Sequence, residues 1–352
     1  MHVNSCNSVD FHDVAVVGAG PAGCEASLAA AAAGASTICL TINLDAIALH
    51  PANPVLADGA GDPRMRLLEE LHGAGAALPG LLKEPGASIE SGARTVIDRR
   101  VLGLAYKERL ESANGLSPRQ SLVTSISPDK GSWNVATSLG ETFRAAAIVV
   151  AAGTYLNAVV TAGGVSTPGG RHGDIPANAL ASCIKSLGIA MEHTTATSYP
   201  RLDSRSAANA GARLLPPDEA VLGELYGSDV DVAGNGAAAL KQLRRTDGYS
   251  EGWITRLGYT VHHHILAAEQ VDPNLQALRQ SGLFFAGKAA GSCNYTEAAA
   301  LGFVAGKNAA ALAAGEADIK LTTNHIFITK LCRAVSRQQS RPVTIRIAPP
   351  GC

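Results

Sequence analysis

The feature that most constrains this chain is a glycine-rich elbow close to its start. Val14-Ala15-Val16-Val17 is a short apolar, β-branched run of the kind buried on both faces of a parallel sheet. It leads into Gly18-Ala19-Gly20-Pro21-Ala22-Gly23, then an alanine-rich helix expected to end near Gly34, then a second apolar strand over 36–40. Strand, G-x-G-x-x-G turn, helix and second strand in that order make a dinucleotide-binding βαβ unit, where the glycine motif alone would be weak evidence. Gly18 permits the tight turn, Gly20 lets the backbone approach a pyrophosphate, and Gly23 lets helix and strand pack closely. The helix N-terminus adds free N–H groups and a partial positive charge. The second strand lacks the terminal Asp or Glu that usually binds the adenosine ribose. Leu40 is followed instead by Thr41-Ile42-Asn43, whose neutral side chains hydrogen-bond hydroxyls more weakly.

With 352 residues, 46% of them hydrophobic and 17% charged, the chain has material for two intertwined lobes. Its formal net charge of −1 argues against a domain that binds nucleic acid by a basic stripe. The stretch after Glu316 is the exception, where Lys320, Lys330, Arg333, Arg337, Arg341 and Arg346 face only Asp318. A terminal helix with a solvated face accounts for that run better than an RNA contact. Seven widely spaced cysteines with no C-x-x-C pair point to a reducing cytoplasm rather than a disulfide framework or zinc site. No apolar run reaches eighteen residues and the first residues do not read as a signal peptide, so no membrane partner is expected.

Further segments narrow the reading. Ala147–Leu156 is an apolar strand entering a small-residue turn, and 282–291 repeats that pattern before a helix start at Tyr295-Thr296-Glu297-Ala298. Between them lie Gly169-Gly170-Arg171-His172-Gly173-Asp174 and Pro200-Arg201-Leu202-Asp203. With Thr41-x-Asn43, these segments resemble the glucose-inhibited division protein A family of tRNA-uridine-modifying flavoproteins and the related folate- and FAD-dependent tRNA uridine methyltransferase. The resemblance runs from about Asp13 to Ala311, with gaps between Arg205 and Gly252.

The resemblance implies an α/β chain with a Rossmann-type, glutathione-reductase-like FAD-binding fold and a smaller inserted α+β substrate domain. Residues 1–160 and 252–352 would form the discontinuous FAD domain and 161–251 the lid. FAD would be held non-covalently, its pyrophosphate by Gly18, Ala19, Gly20, Pro21, Ala22 and Gly23 and its ribose by Thr41 and Asn43. Val123 would lie on the adenine side, with Ala152, Gly153, Thr154, Gly287, Tyr295 and Ala298 along the remainder. Lys288 replaces a family glutamine near the ribityl chain, where a cation can pair with phosphates or with an anionic reduced ring. NAD(P)H as reductant, methylenetetrahydrofolate as one-carbon donor and a homodimeric assembly also follow from it.

The departures bear on the substrate. A family cysteine in a Cys-Asn-Pro context is replaced by Ala52 in Pro51-Ala52-Asn53-Pro54, and a second family cysteine has no counterpart around 245–252. No counterpart of the C-terminal helical domain that docks tRNA in the wobble enzyme is expected. These departures lead to the expectation of a small-molecule or nucleoside-like substrate, with tRNA as the less favoured partner. A simple FAD oxidoreductase or monooxygenase, and a flavin-binding paralogue without catalysis, stand as alternatives.

The candidate catalytic residues each carry a plainer reading. Cys293 lies in the turn before the late helix, where a helix N-terminus favours thiolate, or it is a small packing residue. Alternation places His262 and His264 on one strand face with His263 opposite; the pair would serve as acid/base or be ordinary surface histidines, and no third metal ligand is evident. Arg171 and Arg201, with Asp174 and Asp203, bind substrate or form a structural ion pair. A second G-x-G-x-x-A over 229–239 reads as a loop ahead of a nicotinamide site.

Overall fold

The computed structural model describes residues 10–50, 55–58, 61–91, 94–198, 201–203, 224–226, 241, 244–245, 253–316 and 325–337. The second glycine motif at 229–239, Ala52, and Lys320, Arg341 and Arg346 lie outside the described residues.

The expected βαβ unit forms as a strand at Phe11–Val17, a helix at Pro21–Ala32 and a strand at Thr37–Thr41. Val14 to Val17 and all of Thr37–Thr41 are buried, as strands covered on both faces must be. Leu116–Gln120 pairs in parallel outside Thr37–Thr41, and the long strand Thr142–Val150 pairs in parallel on the other side of Phe11–Val17. The outer edge of Thr142–Val150 is shared. Its first half pairs antiparallel with Ser132–Thr137, which pairs with Val123–Asp129, and its last three residues pair in parallel with Leu283–Phe285. The late strand thus inserts beside the first half of the chain, making one sheet from two distant segments.

A late helix, Tyr295–Ala313, lies across the elbow helix and is buried over most of its length. Gly302 and Gly306 sit one helical turn apart. A Cβ at either would enter the backbone of Ala22 or Ala26, which have the same spacing on the elbow helix. The alanine and glycine content therefore has a local use, since side chains at this seam would force the helix axes apart. Buried charge ties other elements in. Glu25, from the elbow helix, is fully buried and accepts from Ala77 N at 2.9 Å, Leu78 N at 2.6 Å and the Tyr106 hydroxyl at 2.7 Å.

The terminal helix Ile326–Ser336 buries Ile328, Leu331, Cys332 and Val335 and leaves Lys330, Arg333 and Arg337 exposed. Its first N–H groups, from Phe327 and Ile328, donate to Glu70. The described part of the basic run is therefore an amphipathic helix with a solvated basic face.

A second sheet holds four strands in the order Val165–Pro168, Val159–Ala162, Tyr259–Leu266 and Met191–Ser198, all antiparallel. Its central strand, Tyr259–Leu266, lies beyond the expected return to the dinucleotide half at residue 252. Ladder pairing with the first sheet resumes at Leu283. A small sheet of Arg201–Asp203, Glu224–Tyr226 and Ile254–Arg256 adjoins it in sequence. Among the described residues no helix is long and apolar enough to cross a membrane.

Candidate functional site

Four parallel strands end at the same edge of the first sheet, and each carboxyl end runs into a segment singled out in the sequence. Val17 leads to the elbow, Thr41 to Ile42 and Asn43, Val150 to Ala151–Thr154, and Phe285 to Gly287 and Lys288. Ligands of open α/β sheets bind in the crevice outside these ends. A cavity of about 600 Å³ lies there, walled by these turns, by Ser121–Val123, by Ser292–Tyr295 with Ala298, and by Thr197, Tyr259 and Val261 of the second sheet.

The elbow has the geometry its glycines suggested. Gly18 has φ +101°, and a Cβ there would strike the Ala151 carbonyl, so only glycine fits. A Cβ on Gly23 would strike the Gly18 carbonyl, whereas around Gly20 the space is open toward the cavity. Gly18, Ala19, Gly20 and Pro21 line the cavity, while Ala22 is buried behind it in the helix seam and Gly23 against the elbow turn. Thr41, Asn43, Val123, Ala152, Gly153, Thr154, Lys288, Tyr295 and Ala298 also line it. Gly287 does not; it lies beneath, where a Cβ would come 2.7 Å from that of Ala22. Asn43 caps a short turn, its side chain accepting from Asp45 N at 2.8 Å.

The late helix is capped on both sides. Asn294 Oδ1 accepts from Glu297 N at 2.9 Å, and Glu297 Oε2 accepts from Cys293 N at 2.8 Å. Burial pushes the Glu297 carboxyl up, opposed by these hydrogen bonds and by the Lys288 charge. Tyr295 donates from its hydroxyl to Ala48 O at 2.9 Å and stacks on His50 at 4.9 Å, which holds the segment after Asn43 against the cavity.

Of the catalytic candidates, Cys293 and Arg171 reach the cavity. Arg171 is fixed by Asp174, Nε to Oδ2 at 2.8 Å, and Tyr155 donates to the same Oδ2 at 2.6 Å. His262 and His264 do not reach it. They stand on the outer face of their strand, His262 Nδ1 3.3 Å from His193 Nε2 and His264 beside Asn157. Parity explains this, because Tyr259 and Val261 line the cavity and period two puts His263 on their face. Arg201 sits in the small three-stranded sheet outside the lining. Tyr155, His50, His263 and Glu297 were missed. For His263 the signal is the alternation that sets it opposite His262 and His264.

His263 has no exposed surface. Burial, with the Lys288 charge adding to it, pushes its imidazole down from 6.5 to about 4. Between those values the unfolded chain binds a proton that the folded one refuses. Stability is therefore full above about pH 6.5 and falls as the pH drops toward about 4, by on the order of 3 kcal/mol. Denaturant titrations across that window should show the slope in the wild type and a flatter one in His263→Phe. Equal slopes would refute the assignment.

The electrostatics favour an anionic occupant. Arg64, Arg171 and Lys288 line the cavity against one carboxylate, Asp174. Asp62 engages Arg64 and Asp174 engages Arg171, while Lys288 makes no hydrogen bond or ion pair with the described residues. An open glycine N-terminus, hydroxyl and amide groups at Thr41 and Asn43, and an uncommitted cation fit a diphosphate-bearing dinucleotide. Among the described residues no group of three or more His, Cys, Asp or Glu is placed to hold a metal ion.

Fold and cavity together define a Rossmann-type FAD flavoprotein. The family model for glucose inhibited division protein A matches residues 13–222 and 237–317, and the chain belongs to that family. It is 27% identical to the tRNA uridine 5-carboxymethylaminomethyl modification enzyme MnmG of Synechocystis, over 96% of this chain and 68% of that one. Against the MnmG of Geobacter metallireducens identity is 34%, over 55% of this chain and 32% of the relative. The Aquifex aeolicus GidA structure superposes with a TM-score of 0.84 at 22% identity, covering 95% of this chain and 69% of that chain.

Proposed function

We propose that this chain is a flavin-dependent enzyme that reductively modifies a uridine-like nucleoside, with FAD along the cavity and the nucleoside entering beside the second sheet. The observation that carries the reading is the convergence of four strand ends and the Asn294-capped helix on one cation-lined cavity. Bound there, FAD would supply hydride or electron transfer, drawing on NAD(P)H and, for carbon transfer, on methylenetetrahydrofolate.

The chain's own groups hold and exclude. N–H groups of the elbow meet the diphosphate, Thr41 and Asn43 meet the ribose, and Lys288 offers a cation. The Tyr155–Asp174–Arg171 set keeps the guanidinium in one orientation, with Nη1 left for an anionic substrate group. Val261, Leu180 and Ala177 supply an apolar wall that keeps water from the reacting atoms. Cys293 is the cavity thiol.

The curated relatives are named for tRNA modification, so tRNA is the competing substrate. Purified protein is expected to be yellow or to become so with FAD, and NADH should bleach it faster than it bleaches free flavin. Uridine nucleosides or short oligonucleotides should then change the rate of reoxidation. A protein that stays colourless sinks the reading. A gel shift with tRNA at physiological salt, with no response to nucleosides, would transfer the substrate assignment to tRNA.

A further inference from the structure

We propose that Lys288 is a mobile cation of the cavity and that His263 positions it: the side chain swings from the rotamer of this structure, which does not make the contact, so that Nε2 accepts the ammonium while the cavity is empty and releases it to an anionic group of the occupant. The inference rests on the flavin reading only for the identity of that occupant.

His263 is on the cavity-facing side of Tyr259–Leu266, and this strand packs against the turn Gly287–Ala290 that carries Lys288. The imidazole is fully enclosed, and Nε2 meets no hydrogen-bond partner among the described residues. Its other nitrogen, Nδ1, lies 3.4 Å from the His264 carbonyl, which only accepts. A neutral ring therefore carries its proton on Nδ1 and presents a bare lone pair at Nε2. An enclosed acceptor left without a donor is costly and calls for an explanation. Across the packed elements, Lys288 has three N–H donors on a flexible stem and makes no hydrogen bond or salt bridge among the described residues, with the Glu297 carboxyl as its nearby opposite charge.

The surrounding charges keep the two roles apart. Glu297 and Cys293, from the late helix and its cap, favour the protonated amine against burial. Lys288 itself, with His193 and His264 on the strands, disfavours a second positive charge on His263. The imidazole thus remains an acceptor at neutral pH.

Imidazole nitrogen NMR on histidine-labelled, ligand-free protein tests the contact directly. Lys288→Met should shift the His263 Nε2 resonance toward that of a lone pair without a donor, and FAD added to the wild type should shift it the same way. FAD titrations give the energetic arm. Lys288→Met should weaken binding about tenfold or more, as for loss of one charge-assisted contact. His263→Phe should tighten binding roughly threefold or more with Lys288 present, by removing the competing acceptor, and leave it unchanged in the Lys288→Met background. An Nε2 resonance indifferent to Lys288→Met overturns the proposal, as does an equal effect of His263→Phe in both backgrounds. The ligand-free resonance decides even where flavin does not bind, so failure of the flavin reading is distinguishable from failure of this one.

Discussion

Replacing Gly23 with alanine is expected to destabilise the protein by about 3 kcal/mol or more, the upper end for overpacking. The added methyl would overlap the carbonyl of Gly18, which is backbone and has little room to yield. The turn that ends Phe11–Val17 would have to open, and with it the seam between the elbow helix and Tyr295–Ala313. Gly20→Ala is the informative control. Nothing lies within 4 Å of a Cβ there and the backbone φ is −70°, so stability should change by no more than ~0.5 kcal/mol. That methyl nevertheless projects toward the cavity, so FAD affinity should fall at least about tenfold if the diphosphate meets this backbone. Melting temperature and flavin-quenching titrations on both variants separate the two effects. A Gly20→Ala protein that binds FAD as the wild type does would remove the elbow from the binding site.

Glu25→Ala should be comparably severe, at about 4 kcal/mol or more. It strands the Ala77 and Leu78 N–H groups and the Tyr106 hydroxyl, each at ~1–3 kcal/mol for an unsatisfied buried group. Burial pushes the Glu25 carboxyl up and its three hydrogen bonds push it down. All three recorded partners are donors, so the ionised form satisfies them best. Glu25→Gln should cost less, about 2 kcal/mol, because its amide nitrogen must face one of those donors. Chemical denaturation of the three proteins checks the order. Gln costing as much as Ala would mean that charge, rather than the hydrogen-bond count, holds Leu78–Leu81 in place.

The dinucleotide half of the site was readable because its signals are local. A turn that needs positive φ demands glycine at Gly18, and a strand buried on both faces demands the run Val14–Val17; neither depends on distant residues. The same local logic found Thr41, Asn43 and the helix start at Tyr295, all of which line the cavity. It placed Ala22, Gly23 and Gly287 among the ligand contacts, whereas they serve the packing beneath. The difference is one of depth, which a motif does not encode.

The catalytic side was less legible. Period two separated His262 and His264 from His263, but alternation leaves open which face is inside. Packing of the strand against the turn Gly287–Ala290 decides that, and it buried His263. Tyr155, Asp174 and Arg171 were visible as residues but not as a hydrogen-bonded set, since the turn at Gly169–Gly170 is what folds them together.

The chain's sequence by itself determined the βαβ elbow and the capped late helix, because each follows from steric and hydrogen-bonding demands within a few consecutive residues, and the family, because such segments recur in order along the chain. Only the tertiary structure decided that the late strand completes the early sheet, that Glu25 bridges three elements, and that Lys288 and His263 come from elements packed on each other. Those facts depend on contacts between residues far apart in the chain, whose partners no local pattern names.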